Sequence, residues 1–313
     1  MITTVLYNPR LKEAWDRFTV HAKNSHFFFQ RTYMEYHSNK FKDFSLMFYG
    51  KKNKLIALLP ANIQGAALYS HQGLTFGGLI VSDDMKATVM LQIFQSLKQF
   101  LRDHNIKTLF YKAIPYIYHI KAAEEDRYAL FLNNAKLYRV DAIGTIYLQE
   151  KIKYSNGRRW SIKRAAQKKL LVEKSHAYHE FWHLLETVLL TQHKVKPVHS
   201  LQEMLFLSSH FPENIHLFTA KHNEQLLAAA LVYENKYNVH LQYAANSNEG
   251  REIGALDFLV DYLIKKVYQH KKYFDFGNSN EENGKVLNEG LMDQKERFDA
   301  RVTVQEFYEL TIL

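Results

Sequence analysis

Residues Tyr273–Arg301 read YFDFGNSNEENGKVLNEGLMDQKERFDAR. Tyr273, Phe274 and Phe276 carry aromatic side chains that suit a pleated, half-buried surface, so the stretch opens as a β-strand. Gly277 ends it with a residue free to take positive φ. Asn278, Ser279, Asn280 and Asn283 then supply the short polar side chains of turns and helix N-caps. From about Val286 to Phe298 apolar residues return at helical spacing. In α/β sheets a polar loop leaving the C-terminal end of a strand is a usual place for a ligand. Folding alone does not call for so many amides and carboxylates here, and the loop is expected to face substrate. Asp275, at the strand's end, is either a group that accepts a proton or orients an amine, or a structural turn carboxylate.

Outward from this stretch, one order of elements occurs twice. In the C-terminal half, helices near Tyr178–His193 and Leu201–His210 precede strands at Ile215–Lys221, Leu226–Tyr233 and Val239–Ala244. A long helix over Ile253–His270 leads to the strand at Tyr273, and a last strand covers Val302–Tyr308. In the N-terminal half, helical patterns at Leu11–Lys23 and Arg31–Tyr36 precede strands at Phe44–Tyr49, Leu55–Ile63 and Ala66–Tyr69. A glycine-bearing loop follows, then a helix over Lys86–Asp103, a strand at Thr108–Tyr111, a helix around Glu124–Asn134 and a strand at Leu137–Leu148. The repeat is one of architecture, with no residue-level similarity. The pattern predicts a mixed α/β fold of two like domains, residues 1–150 and 151–313, sharing a cleft; 313 residues are enough for two cores. Lys151, Lys153, Arg158, Arg159, Lys163, Arg164, Lys168 and Lys169 crowd the joint, as a solvated basic helix or as an anion clamp.

The net charge of +9 favours an anionic partner, and the absence of cysteine excludes disulfides, thiolate nucleophiles and Cys-based zinc sites. The start, MITTVLYNPR, has no basic segment followed by an apolar run, and no stretch approaches the ~18 apolar residues of a membrane span, so a cytoplasmic protein is expected.

Arg251-Glu252-Ile253-Gly254-Ala255 stands between the third strand of the C-terminal half and its long helix. A glycine at a helix start lets backbone approach a ligand closely, and the free amides and helix dipole there suit a pyrophosphate. This placement resembles the pyrophosphate loop of the GNAT acyltransferase superfamily, in which Arg251 and Gly254 match the pattern and Ala255 stands one place before its final small residue. Tyr273–Gly277, Asn283-Gly284, Leu287–Leu291 and Gln294–Phe298 resemble the FemAB-like branch, in which two GNAT units are fused. Among these the likeness is to nucleotide-sugar N-acyltransferases of the dTDP-3-amino-3,6-dideoxyhexose type, found with surface-polysaccharide genes. Ser70–Leu79, SHQGLTFGGL, is similar to that group's glycine-rich active-site loop, and Trp160–Ala165 to its basic helix; Asp299 departs from the pattern, where a glycine is usual.

The resemblance implies an acyl-CoA co-substrate, an amine acceptor on a nucleotide-linked amino sugar of O-antigen or other surface polysaccharide, no metal and no nucleic acid. It implies one coenzyme site, held by Arg251, Gly254, Ala255 and Arg164, because Val81–Lys86 offers no counterpart in the first unit. Thr75, Asn278, Ser279, Lys295 and Arg158 are expected to meet the acceptor. For the chemistry the candidates are Asp275, Glu289, His71 as a base with suitable intrinsic pKa, and Tyr243 as the acid for the departing thiolate. Tyr243 is equally well read as a core aromatic, and His71 as an incidental loop histidine.

Three other readings compete. His179-Glu180-Phe181-Trp182-His183 matches HExxH, with Glu203 downstream as a third ligand, which would make a zinc peptidase; the alternative is a helix whose Phe181, Leu184, Leu185 and Val188 face a core. Asp275-Phe276-Gly277 spells the kinase DFG but lacks the accompanying kinase motifs. A FemAB-type enzyme could also draw its acyl group from aminoacyl-tRNA, which would turn the basic helix into an RNA contact.

Overall fold

A computed structural model describes residues 2–312. They form two compact units, one from the described residues of Met1–Asp141, Glu282–Val286 and Val304–Leu313, the other from Ala142–Glu281 and Leu287–Thr303.

The first unit runs β1 (Thr3–Leu6), α1 (Lys12–His21), α2 (Arg31–Glu35), β2 (Leu46–Tyr49), β3 (Leu55–Leu59), β4 (Asn62–Gln64), β5 (Ala67–Tyr69), β6 (Ile80–Val81), α3 (Ala87–Asp103), β7 (Thr108–Lys112) and α4 (Glu125–Leu132). Strands β1, β2, β3 and β6 pair antiparallel in that order. The expected single strand Leu55–Ile63 is two, because Pro60 has no N–H to give a ladder and β4 turns instead to pair with β5. β5 lies parallel to β7, whose other edge takes Phe307–Thr311 of the last strand. On α3, Met90, Ile93, Phe94, Leu97 and Leu101 fall at helical spacing and are buried against Leu46, Phe48, Ala57 and Leu109. Each such side chain contributes roughly 1.5–3 kcal/mol by leaving water.

In the second unit, residues 142–147 of β8 (Lys136–Tyr147) are followed by α5 (Asn156–Ala166), β9 (Leu171–Ser175), α6 (Tyr178–His193), α7 (Leu201–His210), β10 (Ile215–His222), β11 (Gln225–Glu234), β12 (Asn238–Asn246), α8 (Asn248–Ile253), α9 (Ala255–Tyr262), β13 (Tyr273–Asn278) and α10 (Glu289–Glu296). β9 to β12 form an antiparallel run, β13 pairs parallel with β12, and β8 pairs antiparallel with β13. α9 covers one face, burying Ala255, Leu259 and Val260 with Val239 and Phe274, while α6 packs on β12. The long helix expected from about Ile253 begins at Ala255, with Gly254 as its N-cap at a left-handed φ of +86°; an additional short helix, α8, ends on the same glycine. α10 begins at Glu289, capped by Asn288, whose side chain accepts from Leu291 N at 2.9 Å. Among the described residues no helix is long and apolar enough to cross a membrane.

Candidate active site

The parallel ladder between β12 and β13 is short. Asn238 pairs with Tyr273, Val239 with Phe274 and His240 with Asp275, and there pairing ends although β12 continues to Asn246 and β13 to Asn278. Two irregularities accompany the parting. On β12, Leu231 of β11 opposes Tyr243 and Val232 opposes Leu241, so Gln242 is an extra, bulged residue. On β13, the register with β8 shifts between Asp275 and Asn278, opposite Gly144. Bulges bend strands and re-aim side chains, so both strands bend where they part.

Side chains alternate across the sheet. Val239 and Phe274 enter the core beneath α9, with Leu241 and Phe276 packed against it, so His240 and Asp275 face the other side. Asp275 is 1% exposed. Its Oδ2 lies 2.8 Å from His240 Nδ1, and its Oδ1 accepts from Gly277 N at 2.6 Å. Lys295, on α10, spans the bulge in β13. Its Nζ donates to Gly277 O at 2.8 Å, Asn278 O at 2.6 Å and Ser279 Oγ at 2.8 Å. A side chain at Gly144 would put its Cβ 2.7 Å from Lys295 Cδ, so the glycine clears the lysine's path. Burial lowers the Lys295 pKa to about 8, the Asp275 charge opposing that fall. Three protons thus meet three acceptors, and the loop after β13 is fixed from within.

The sequence matches no protein-family model and no curated protein. Solved structures match in shape. FemX superposes with a TM-score of 0.68 at 11% identity, over 97% of this chain and 96% of its own. L-PGS from Bacillus licheniformis gives 0.62 at 13%, over 97% and 91%. A tandem GNAT protein from the clavulanic acid biosynthesis pathway gives 0.52 at 10%, over 100% and 99%. The chain has the tandem GNAT fold. At these identities the likeness concerns the fold alone.

Within this tandem GNAT fold the sequence-predicted residues are distributed unevenly. Asp275, Ser279 and Lys295 come together as described, with Asn278 contributing its carbonyl while remaining exposed. Tyr243 faces Trp182 of α6, and its hydroxyl lies 2.7 Å from His199 Nδ1; burial raises its pKa. Arg251 is exposed at the end of α8, its Nε and Nη2 each 3.4 Å from Asn246 O, and Gln192 presents its amide oxygen to both Nη atoms. Gly254 and Ala255 are buried, and a Cβ at Gly254 would come within 2.3 Å of Ser161 Oγ and 2.9 Å of Ser161 O on α5. Arg164 stacks over Trp160 at 4.7 Å and reaches Ile253 O at 3.4 Å. Arg158 pairs with Asp257, donates to Gln294 O at 3.0 Å and lies 4.0 Å over the Phe298 ring, so its guanidinium ties α5 to α9 and α10. Glu289, first residue of α10, is exposed.

In the HExxH segment Phe181 and Trp182 are buried while His179, Glu180 and His183 are exposed. Glu203 completes a capping box with Ser200. Among the described residues no three His, Asp or Glu side chains are grouped to hold a metal.

His71 and Thr75 belong to the first unit. His71 is 3% exposed at φ +63°, and its Nδ1 accepts from Gly73 N at 3.2 Å. Burial, with His37 and Lys112 nearby, lowers its pKa to about 3, so its imidazole is neutral and weakly basic. Lys112 holds the loop's carbonyls: Nζ reaches Leu74 O at 2.7 Å and His71 O at 3.0 Å. Thr75 is exposed, its carbonyl accepting from Gln305 Nε2 at 2.8 Å. His240 is the residue that sequence reasoning missed. It lies 35 positions from Asp275, and only the parallel register joins them.

Proposed function

We propose that this chain is an acyl-CoA-dependent N-acyltransferase that acts on the amine of a nucleotide-linked amino-dideoxy sugar, of the dTDP type used in O-antigen and surface polysaccharide, in the cytoplasm. The observation that carries the reading is the parting of β12 from β13 beside the Gln242 bulge. A parted parallel pair can accept an extended pantetheine arm and leaves strand amides free to meet a thioester carbonyl, where fixed donors stabilise a tetrahedral oxyanion. Exposed Arg251 at the open end suits the coenzyme pyrophosphate. Tyr243 is the proposed proton donor to the thiolate. Asn278, exposed at the end of β13, suits a sugar hydroxyl, since an amide both donates and accepts, whereas Ser279 is buried with its hydroxyl held by Lys295.

A second reading, a FemAB-type aminoacyltransferase drawing on charged tRNA, is favoured by α5. That helix exposes Arg159, Lys163 and a 62% exposed Trp160, the mixture of cation and aromatic that suits single-stranded nucleic acid. One experiment separates the two. Acyl-CoAs are screened against nucleotide-linked amino sugars while free thiol is monitored, beside a panel of aminoacyl-tRNAs. Thiol release that depends on the sugar supports the first reading. Silence there with consumption of charged tRNA replaces it by the second.

A further inference from the structure

The buried carboxylate of Asp275 does not itself reach solvent; what it reaches is His240. Its two oxygens are engaged by Gly277 N and His240 Nδ1. An ionised carboxylate only accepts, so the ring nitrogen facing it must carry the proton, and the Nε2 lone pair is left free. Among the described residues Nε2 has no hydrogen-bond partner and is not sealed from solvent, and the His240 side chain keeps 13% of its surface exposed. Satisfying Asp275 would require only a donor. An oriented imidazole with an open basic nitrogen supplies more than that. Its position is also specific, since His240 and Asp275 are the last paired residues before the strands part. From His240 to Asn246, β12 covers about 20 Å at the usual rise per residue. A coenzyme held at Arg251 and laid between the strands would therefore bring its thioester toward His240.

We propose that His240 is the general base of acyl transfer and that Asp275 is its positioning residue. This rests on the acyltransferase reading above. The neutral acceptor amine attacks the thioester carbonyl, forming the C–N bond. Nε2 takes the N–H proton, giving an imidazolium beside the Asp275 carboxylate. The C–S bond breaks, Tyr243 as the proposed acid protonates the departing sulfur, and the imidazolium proton restores the tyrosine hydroxyl through solvent, leaving an amide and a free thiol.

The test combines kinetics with tautomer assignment. His240→Gln keeps a donor for Asp275 but has no basic lone pair. Its kcat should fall by about 100-fold or more, with KM for the acyl donor unchanged. His240→Ala should regain activity when imidazole is added, which a structural role would not produce. In ¹⁵N NMR of the resting protein His240 should carry its proton on Nδ1, and Asp275→Asn should disturb that preference. Near-normal turnover of the Gln variant, absence of imidazole rescue, or an Nε2-protonated ring would each overturn the assignment. Wild-type silence with every acyl-CoA would instead overturn the donor assignment. The same variants would then be assayed with aminoacyl-tRNA, where a base for the attacking amine is equally required, and the tautomer measurement needs no donor.

Discussion

Replacing Gly254 by alanine tests whether this glycine serves packing or ligand binding. Its φ of +86° costs an L-residue about 1–2 kcal/mol. The new Cβ would stand 2.3 Å from Ser161 Oγ and 2.9 Å from Ser161 O. A serine hydroxyl can rotate away, but a backbone oxygen moves only with α5, and overpacking of that kind costs about 1–3 kcal/mol. Together the terms predict destabilisation of the second unit by about 3 kcal/mol. Hydrogen exchange reads this directly, because α9 amides are among the protected groups and exchange through opening of their unit. Peptides covering α9 should exchange about 100-fold faster, while peptides covering α3 in the first unit keep their rate. Adding Ser161→Ala should recover only a small part, since the carbonyl remains. An α9 rate within about fivefold of wild type, equivalent to roughly 1 kcal/mol, would refute the packing account.

Lys295→Met removes the donors to Gly277 O, Asn278 O and Ser279 Oγ. Unmet carbonyls cost about 1–3 kcal/mol each, partly offset because burial already disfavours the ammonium, so about 2 kcal/mol net is expected from urea titration. Arg251→Ala should raise KM for the acyl donor about tenfold with kcat held, as steady-state kinetics will read; an unchanged KM removes Arg251 from the coenzyme site. Asp126, buried beneath the Tyr111 hydroxyl at 2.5 Å, has its pKa raised by burial from 3.8 to about 6. The folded state therefore binds that proton more tightly than the unfolded state, and stability should fall by about 3 kcal/mol as pH rises from about 4 to 6. In thermal melts Asp126→Asn should lack that decline, and a wild-type pH profile in the variant would contradict it.

Most elements of the second unit were legible because β10, β11 and β12 are long runs of apolar and β-branched residues bounded by turn chemistry. β9 was not, since Leu171–Ser175 is an edge strand with no buried position, and its sequence has little strand character. α8 was hidden too: Asn248–Ile253 has one apolar residue in six and so no apolar stripe to mark a helix, whereas Gly254 stands at the start of α9 as its placement in the sequence suggested. Asp275, Ser279 and Lys295 were all singled out because one local stretch carries them, although Ser279 and Lys295, expected to meet an acceptor, are buried and bonded to each other. The partnership with His240 has no local signal, being created by a three-residue parallel ladder between distant strands. Arg158 and Lys295 show a further limit: charge alone marked them for substrate, whereas their polar atoms are engaged by Asp257 and by loop carbonyls.

The Gln242 bulge has a consequence for how this chain tolerates changes in length. Val232 opposes Leu241 and Leu231 opposes Tyr243, so every neighbour of Gln242 already has its partner without it. Losing that one residue would leave each remaining pair in register and would cost the ladder nothing. What would disappear is the curvature that turns β12 away from β13. A single-codon deletion here is thus neutral to assembly and severe for the opening between the strands, whereas a deletion two positions earlier would remove His240 itself, move Leu241 to its face and bring Gln242 to the core-facing place of Leu241. Integrity and activity are separable at this one position.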